Sequence, residues 1–170
     1  MVKCSTSLWS ADLTNLESDI KRVTPHSECF HLDVADGHYT PTMLFFSDLV
    51  AQLRPHTSLP MEVHLMTTDP LAWIDPFVEA GVDRVIFCYN SLEDLGAALA
   101  AVRKHDKKVG VSLEIREPLD LLEDFWLDLD LITVIGTEVG VKGAEMDASI
   151  PAKIKSAKEW ISKAGAQTEV

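Results

Sequence analysis

Phe30-His31-Leu32-Asp33-Val34-Ala35-Asp36-Gly37-His38 reads as a strand that runs into a turn, and the two faces of that strand differ chemically. Side chains alternate along a strand, so Phe30, Leu32 and Val34 share one face while His31 and Asp33 share the other. The apolar face needs a covering layer, and a buried face carrying an imidazole and a carboxylate needs partners for them. Asp-Gly after the strand is ordinary turn chemistry, so structural roles are expected of Asp36, Gly37 and His38. Met61-Glu62-Val63-His64-Leu65-Met66 repeats the arrangement, with Val63 and Leu65 on one face and Glu62, His64 and Met66 on the other.

A parallel barrel accommodates both strands. Its apolar strand faces meet an outer ring of helices, its other faces point inward, and its active sites sit at the C-terminal rim. The rest of the chain fits: short β-branched runs alternate with stretches of helical period. Strands are expected at Val2–Leu8, Cys29–Val34, Met61–Leu65, Arg84–Cys88, Lys108–Leu113 and Leu131–Ile135. Helices are expected at Asp12–Val23, Ser47–Arg54, Leu71–Ala80, Leu92–His105, Leu119–Phe125 and Ile150–Lys163. Leu13, Leu16, Ile20 and Val23 recur at helical spacing with Asp12 placed to cap, and Gly81 is a helix stop.

The turn Ser7-Leu8-Trp9-Ser10-Ala11-Asp12 lacks the GxGxxG of a doubly wound dinucleotide fold. The polar residues inside the strands favour an α/β fold of the (β/α)8 TIM-barrel type. A whole barrel takes about 250 residues with a strand roughly every 30. About six βα units are therefore visible, and Gln167–Val170 reads as the start of strand seven. No Ser/Gly/Pro-rich linker divides the chain, so residues 1–170 are expected to be one incomplete barrel domain. Such a piece of a longer protein is expected to fold poorly alone or to be completed by another chain.

At 170 residues and 46% hydrophobic, the chain can bury a sizeable core. A net charge of −12 argues against nucleic acid as a partner, since a phosphate backbone would be repelled. Cys4, Cys29 and Cys88 are widely spaced and form no CxxC pair, which fits reduced thiols in the cytoplasm. No apolar run approaches the roughly 18 residues of a membrane span, and Met1–Ser10 lacks a leader pattern. A soluble, cytoplasmic protein is expected.

The two polar strand faces bring His31, Asp33 and His64 together. From spacing alone two readings stand. One is a buried His–Asp hydrogen bond; the other is a two-imidazole, one-carboxylate ligand set for a divalent ion such as Zn, Fe, Mn or Co. Glu62 is expected to be hydrogen-bonded lower in the barrel, and Glu114–Glu123 to form a solvated loop and helix face.

Ser7–Asp12, His31–His38, Pro60–Met66 and Ala80-Gly81-Val82-Asp83 resemble, in order and spacing, the signatures of the ribulose-phosphate 3-epimerase family. Lys108-Val109-Gly110-Val111 resembles its fifth strand, and the resemblance runs over essentially the whole chain. It implies a TIM barrel of the ribulose-phosphate-binding type that epimerises a ketose phosphate at C3. Ribulose 5-phosphate to xylulose 5-phosphate is the family default, with one divalent metal ion as cofactor. By position, His31, Asp33 and His64 match three of four metal ligands, and Asp33 matches one of two catalytic carboxylates. Ser7 matches a substrate-contacting serine. Substrate contacts are expected as well from His64, Met66, Gly140 and Gly143, and a homo-oligomer is the expected assembly.

The chain departs from the family in several places. Ala35 and Ile135 stand where the family has methionine, which would thin a sulfur-lined pocket. Cys88 and Asn90 stand in place of the His-x-Glu pair ending strand four, contacts expected at the rim. Val139-Gly140-Val141-Lys142-Gly143-Ala144 replaces a PGFGGQ-type loop; its glycines can still present amides to an anion, and Lys142 either supplies charge or faces solvent. The chain stops where strand seven would lead to the second catalytic Asp, which is also the fourth ligand. Two alternatives to an epimerase remain. A lyase or decarboxylase on a related barrel would carry Asp-x-Lys-x-x-Asp, which is absent. A degenerate, non-catalytic barrel would make no demand for His31, Asp33 and His64.

Overall fold

In the computed structural model, which describes residues 3–141 and 143–170, six parallel strands lie side by side in chain order. They are β1 (Ser5–Ser7), β2 (Cys29–Ala35), β3 (Met61–Met66), β4 (Arg84–Cys88), β5 (Lys108–Leu113) and β6 (Leu131–Val134). The α-helices between and after them are α1 (Leu16–Val23), α2 (Ser47–Leu53), α3 (Ile74–Glu79), α4 (Leu95–Arg103) and α5 (Ile150–Ala164). The result is a curled wall of a (β/α)8 barrel.

Alternation decides which face is which. Phe30, Leu32 and Val34 of β2, Val63 and Leu65 of β3, Val85 and Phe87 of β4, and Val109 and Val111 of β5 are buried in one apolar cluster. Ile20, Val50, Phe77, Val102 and Ile161 reach into the same cluster from the five helices. His31, Asp33 and His64 point to the opposite, inner face. Phe30 has no exposed surface, so Phe30→Ala removes a full aromatic ring from this layer. A loss of about 3–5 kcal/mol is expected, to be read from the shift in urea midpoint at unchanged slope.

The register sets the inner layers. His31 lies opposite Glu62, Glu62 opposite Arg84, and Arg84 opposite Lys108. One layer higher come Asp33, His64, Ile86, Gly110 and Leu131. Gly110 lets β5 and β6 approach closely there: a Cβ would sit 3.0 Å from the Leu131 carbonyl oxygen and 3.1 Å from its side chain, so Leu131 would have to give way. Among the described residues, β1 pairs only with β2. Beyond β6 a single parallel bridge joins Leu131 to Glu169. That bridge is what the expected seventh strand amounts to. Between β1 and β6 the inner face opens on a cleft of about 1380 Å³ whose walls include Ser7, His31, Glu62, Arg84 and Thr133.

Several element boundaries differ from expectation, each for a local reason. Met1 and Val2 lie outside the described residues, and β1 stops at Ser7, whose Oγ accepts the Trp9 amide and turns the chain into a 3-10 turn over Leu8–Ser10. Asp12 does not cap α1. Its carboxylate accepts from the Thr14 amide, the Thr14 hydroxyl and the Asn15 side chain. This local turn delays the helix to Leu16 and leaves Leu13 half exposed. The third helix splits into a 3-10 turn, Pro70–Trp73, and α3; Pro76 has no amide for an α-helical bond and is tolerated only in a first turn. Asp94, accepting from the Ala97 amide, starts α4 three residues later than expected. Leu119–Phe125 keeps its expected bounds but winds as a 3-10 helix. Among the described residues, no helix is long and apolar enough to cross a membrane.

Candidate active site

Asp33 is the centre of the inner cluster. The His31 Nε2 lies 3.5 Å from its Oδ1 and the His64 Nδ1 lies 3.9 Å from the same oxygen, while the other oxygen, Oδ2, accepts the Ser7 hydroxyl at 2.6 Å. The parallel pairing of β1 with β2 and β2 with β3 brings these four residues together, with Ser7 beside His31 and Asp33 beside His64.

Each imidazole is fixed from behind. His31 Nδ1 lies 2.9 Å from Glu62 Oε1, and His64 Nε2 lies 2.8 Å from the Ser112 hydroxyl and 3.3 Å from the Cys88 sulfur. Glu62 is acceptor-only when ionised, so the His31 proton on that side is Nδ1–H and donates to the carboxylate. Both rings thus turn their remaining nitrogen toward the same Asp33 oxygen. The three donor atoms lie within 4.8 Å of one another and could hold a metal ion. The spacings suit one: they are too long for good hydrogen bonds, yet an ion with bonds of about 2.0–2.2 Å to nitrogen and oxygen fits among them.

The electrostatics follow from this packing. Burial works against charge on Asp33, but His31, His64 and Ser7 outweigh it and hold its carboxyl well below the usual range. Burial also opposes charge on His64, and Cys88 and Asp33 outweigh it, raising the imidazole to about 10. His31 is raised too, burial being outweighed by Asp33 and Glu62. For Glu62 burial is outweighed by His31, Ser5 and Arg84, which lower it to about 2. A carboxyl depressed in the folded state stabilises the fold above its ordinary value of 4.5, and that contribution disappears as pH falls toward 2. Glu62→Gln should therefore flatten the acid limb of the stability profile in that window. Urea midpoints measured against pH for both proteins make the comparison.

The other expected contacts are placed as follows. Met66 is buried with Ala35 and Cys88 at the inner rim, under Tyr39, Leu44 and Val139. At that rim Cys88 is fully buried against His64 and returns a sulfur to the wall that Ala35 thins. Asn90 does lie at the rim, where Asn90 and the Tyr39 hydroxyl bond each other and Glu114. Glu114 is thereby drawn out of the solvated run expected of it. Gly140 packs its Cα against Thr40, where a Cβ would meet the hydroxyl at 1.8 Å, and Gly143 stands open with nothing within 4 Å. Lys142 lies outside the described residues. Asp36 serves the turn, as expected, accepting from the His38 and Tyr39 amides and from Thr68 of the next loop. Ser112 and Arg84 were not singled out in the sequence. Their signal is alternation, since Gly110 and Ser112 share a face, as do Arg84 and Cys88.

Residues 3–170 match the model of the Ribulose-phosphate 3 epimerase family. The chain belongs to that family. It is thereby an epimerase, an enzyme of the isomerase class. Its curated relatives include the ribulose-phosphate 3-epimerase of Bacillus subtilis, 32% identical over 166 residues, covering 97% of this chain and 76% of the relative. The ribulose-phosphate 3-epimerase of Rhodospirillum rubrum is 39% identical over 130 residues, covering 75% of this chain and 57% of the relative. Among solved structures, 3-keto-L-gulonate-6-phosphate decarboxylase from Vibrio cholerae superposes with a TM-score of 0.67 at 14% identity, over 93% of this chain and 74% of its own. The tryptophan synthase alpha-subunit of Pyrococcus furiosus gives 0.61 at 13% identity, over 99% and 85%. At such identities these two likenesses describe the epimerase's fold alone.

Proposed function

We propose that this epimerase inverts C3 of a ketose phosphate, ribulose 5-phosphate to xylulose 5-phosphate or a close relative, with Asp33 as a base and His31, Asp33 and His64 holding a divalent metal ion. The observation that carries this reading is the aim of the two imidazoles. Each has its outer nitrogen committed to Glu62 or to Ser112 and Cys88, and its inner nitrogen turned to Asp33 Oδ1. Two histidines and a carboxylate suit Zn, Fe, Mn or Co. Such an ion, when bound, supplies Lewis-acid stabilisation of negative charge on substrate oxygens.

Among the described residues Asp33 is the only carboxylate of the candidate ligand set, and it is kept ionised, so its basic form is the resting one. Taking the C3 proton next to the carbonyl yields an enediolate, and delivering a proton to the opposite face inverts the centre. One carboxylate reaches one face, so the second proton comes from a group outside this cluster. Ser7, bonded to Asp33 Oδ2, aligns the base and contacts substrate, while His64 and the sulfur wall of Met66 border the reacting carbons. The Gly140 and Gly143 amides, at left-handed φ of 76° and 78°, offer donors to the phosphate end.

The test is isotopic. The protein, supplied with a divalent metal and candidate ketose phosphates in deuterated water, should place deuterium at C3 of one of them. If no candidate exchanges at C3, the assignment of this reaction fails.

A further inference from the structure

Beneath the Asp33 layer the inner face carries a second polar layer that touches neither the candidate ligand atoms nor the space between them. Glu62 is its hub, with only 2% of its surface exposed. Its Oε1 accepts from His31 Nδ1 at 2.9 Å and from the Ser5 hydroxyl at 2.8 Å, and its Oε2 accepts from Arg84 Nη1 at 2.8 Å. Arg84 reaches on with Nη2 to Glu169 Oε2 at 3.0 Å, and Lys3 pairs with the other oxygen of Glu169. Glu169 belongs to the segment after α5 that bridges to β6 through Leu131. A continuous line of contacts therefore runs from His31, across β3 and β4, to the far end of the sheet.

Two features of this line point to a task beyond holding the strands together. Both oxygens of Glu62 are engaged by three donors from three strands, so the carboxylate cannot turn without breaking them. The Arg84 Nε, moreover, is buried without a hydrogen-bond partner. The guanidinium is spent on two carboxylates by its outer nitrogens, at the cost of an unsatisfied inner one. Apolar residues in place of both Glu62 and Arg84 would join the strands without that penalty. What the arrangement provides is a rigid acceptor behind one ring nitrogen of His31. Carboxylates in that position fix a ligand histidine's tautomer and ring orientation.

We propose that Glu62 is the positioning residue for His31, that Arg84 acts through Glu62 by locking its carboxylate, and that Glu169 anchors the far end. The metal affinity of the cluster then depends on three residues that never touch the metal. The affinity part rests on the metal reading above; the positioning of His31 does not.

The experiment has two arms, run on the same set of proteins: the starting protein, Glu62→Gln, Arg84→Met, Arg84→Lys and the double variant Glu62→Gln/Arg84→Met. In the first, cobalt(II) alone is titrated and followed by its visible absorption. Glu62→Gln should weaken binding about 10–100-fold, Arg84→Met should weaken it less, and Arg84→Lys should recover part of that loss. The double variant should be no weaker than Glu62→Gln, because Arg84 works through the carboxylate. In the second arm, proton and nitrogen NMR of the metal-free protein should show a downfield, slowly exchanging Nδ1 proton on His31. That signal should move upfield or vanish in Glu62→Gln and shift in Arg84→Met.

Unchanged affinity in Glu62→Gln, or losses that multiply in the double variant, overturn the relay. So does the absence of a protected Nδ1 proton in the starting protein. If that protein takes up no cobalt, the metal reading falls and the NMR arm alone decides the positioning of His31. Should Glu62→Gln not fold, Arg84→Met decides: unchanged affinity together with an unshifted His31 proton overturns the proposal.

Discussion

Asp33→Asn is expected to lower turnover by about 10²–10⁴-fold, the range lost when a positioned acid or base is removed. The substitution keeps the shape of the side chain and an oxygen able to accept the Ser7 hydroxyl, which now lies 2.6 Å away. It deletes the basic electron pair and the negative charge that the half-buried His31 and the buried His64 imidazoles face at 3.5 and 3.9 Å. A structural role alone would appear chiefly as lost stability, so turnover is compared with unfolding by urea on the same preparations. C3 deuterium exchange at close to the original rate in Asp33→Asn would show that another group is the base.

The second large effect is on metal binding as pH changes. Without metal, His64 keeps its proton to about pH 10, since Cys88 and Asp33 overcome the opposition of burial; His31 is raised in the same direction. An ion at the cluster needs the lone pairs on the inner nitrogens, so it competes with those protons. His64 is protonated through neutral pH and His31 is shifted in the same direction, so metal affinity must climb as pH rises. The slope should be about tenfold per pH unit for each proton displaced, levelling off near 10 where His64 has already lost its own. Calorimetric zinc titrations in buffers of different ionisation enthalpy count the released protons directly. Affinity independent of pH, with no proton release, would mean that the imidazoles are not the ligands.

The inner cluster was legible because strand alternation is a strong constraint. Phe30, Leu32 and Val34 could be buried together only if His31 and Asp33 faced the other way, and β3 repeats the pattern in register with β2. Glu62 was placed correctly for the same reason. What the sequence concealed depends on relations between strands or on competing local bonds. Cys88 was expected at the rim because it ends its strand; what no pattern showed is that it is buried there, opposite Ser112 and under Tyr39, which closes over it. The Arg84–Glu169 contact joins residues far apart in the chain. No periodicity encodes it, because it exists only once the crossovers have fixed the curvature. The start of α1 was misjudged because Asp12 has a choice of partners, and Thr14 and Asn15 are nearer than a first helical turn.

The chain-order sheet has a consequence for the sequence of events during synthesis. His31, Asp33 and His64 are contributed by β2 and β3, which are neighbours in the chain and in space. All three candidate ligands, with Ser7 and Glu62, have left the ribosome once residue 66 has done so. Later segments add no member to the trio; Cys88, Ser112 and Arg84 arrive to brace groups already in place. The candidate ligands are thus gathered by two strands consecutive in the chain, and the residues that brace them follow on β4 and β5.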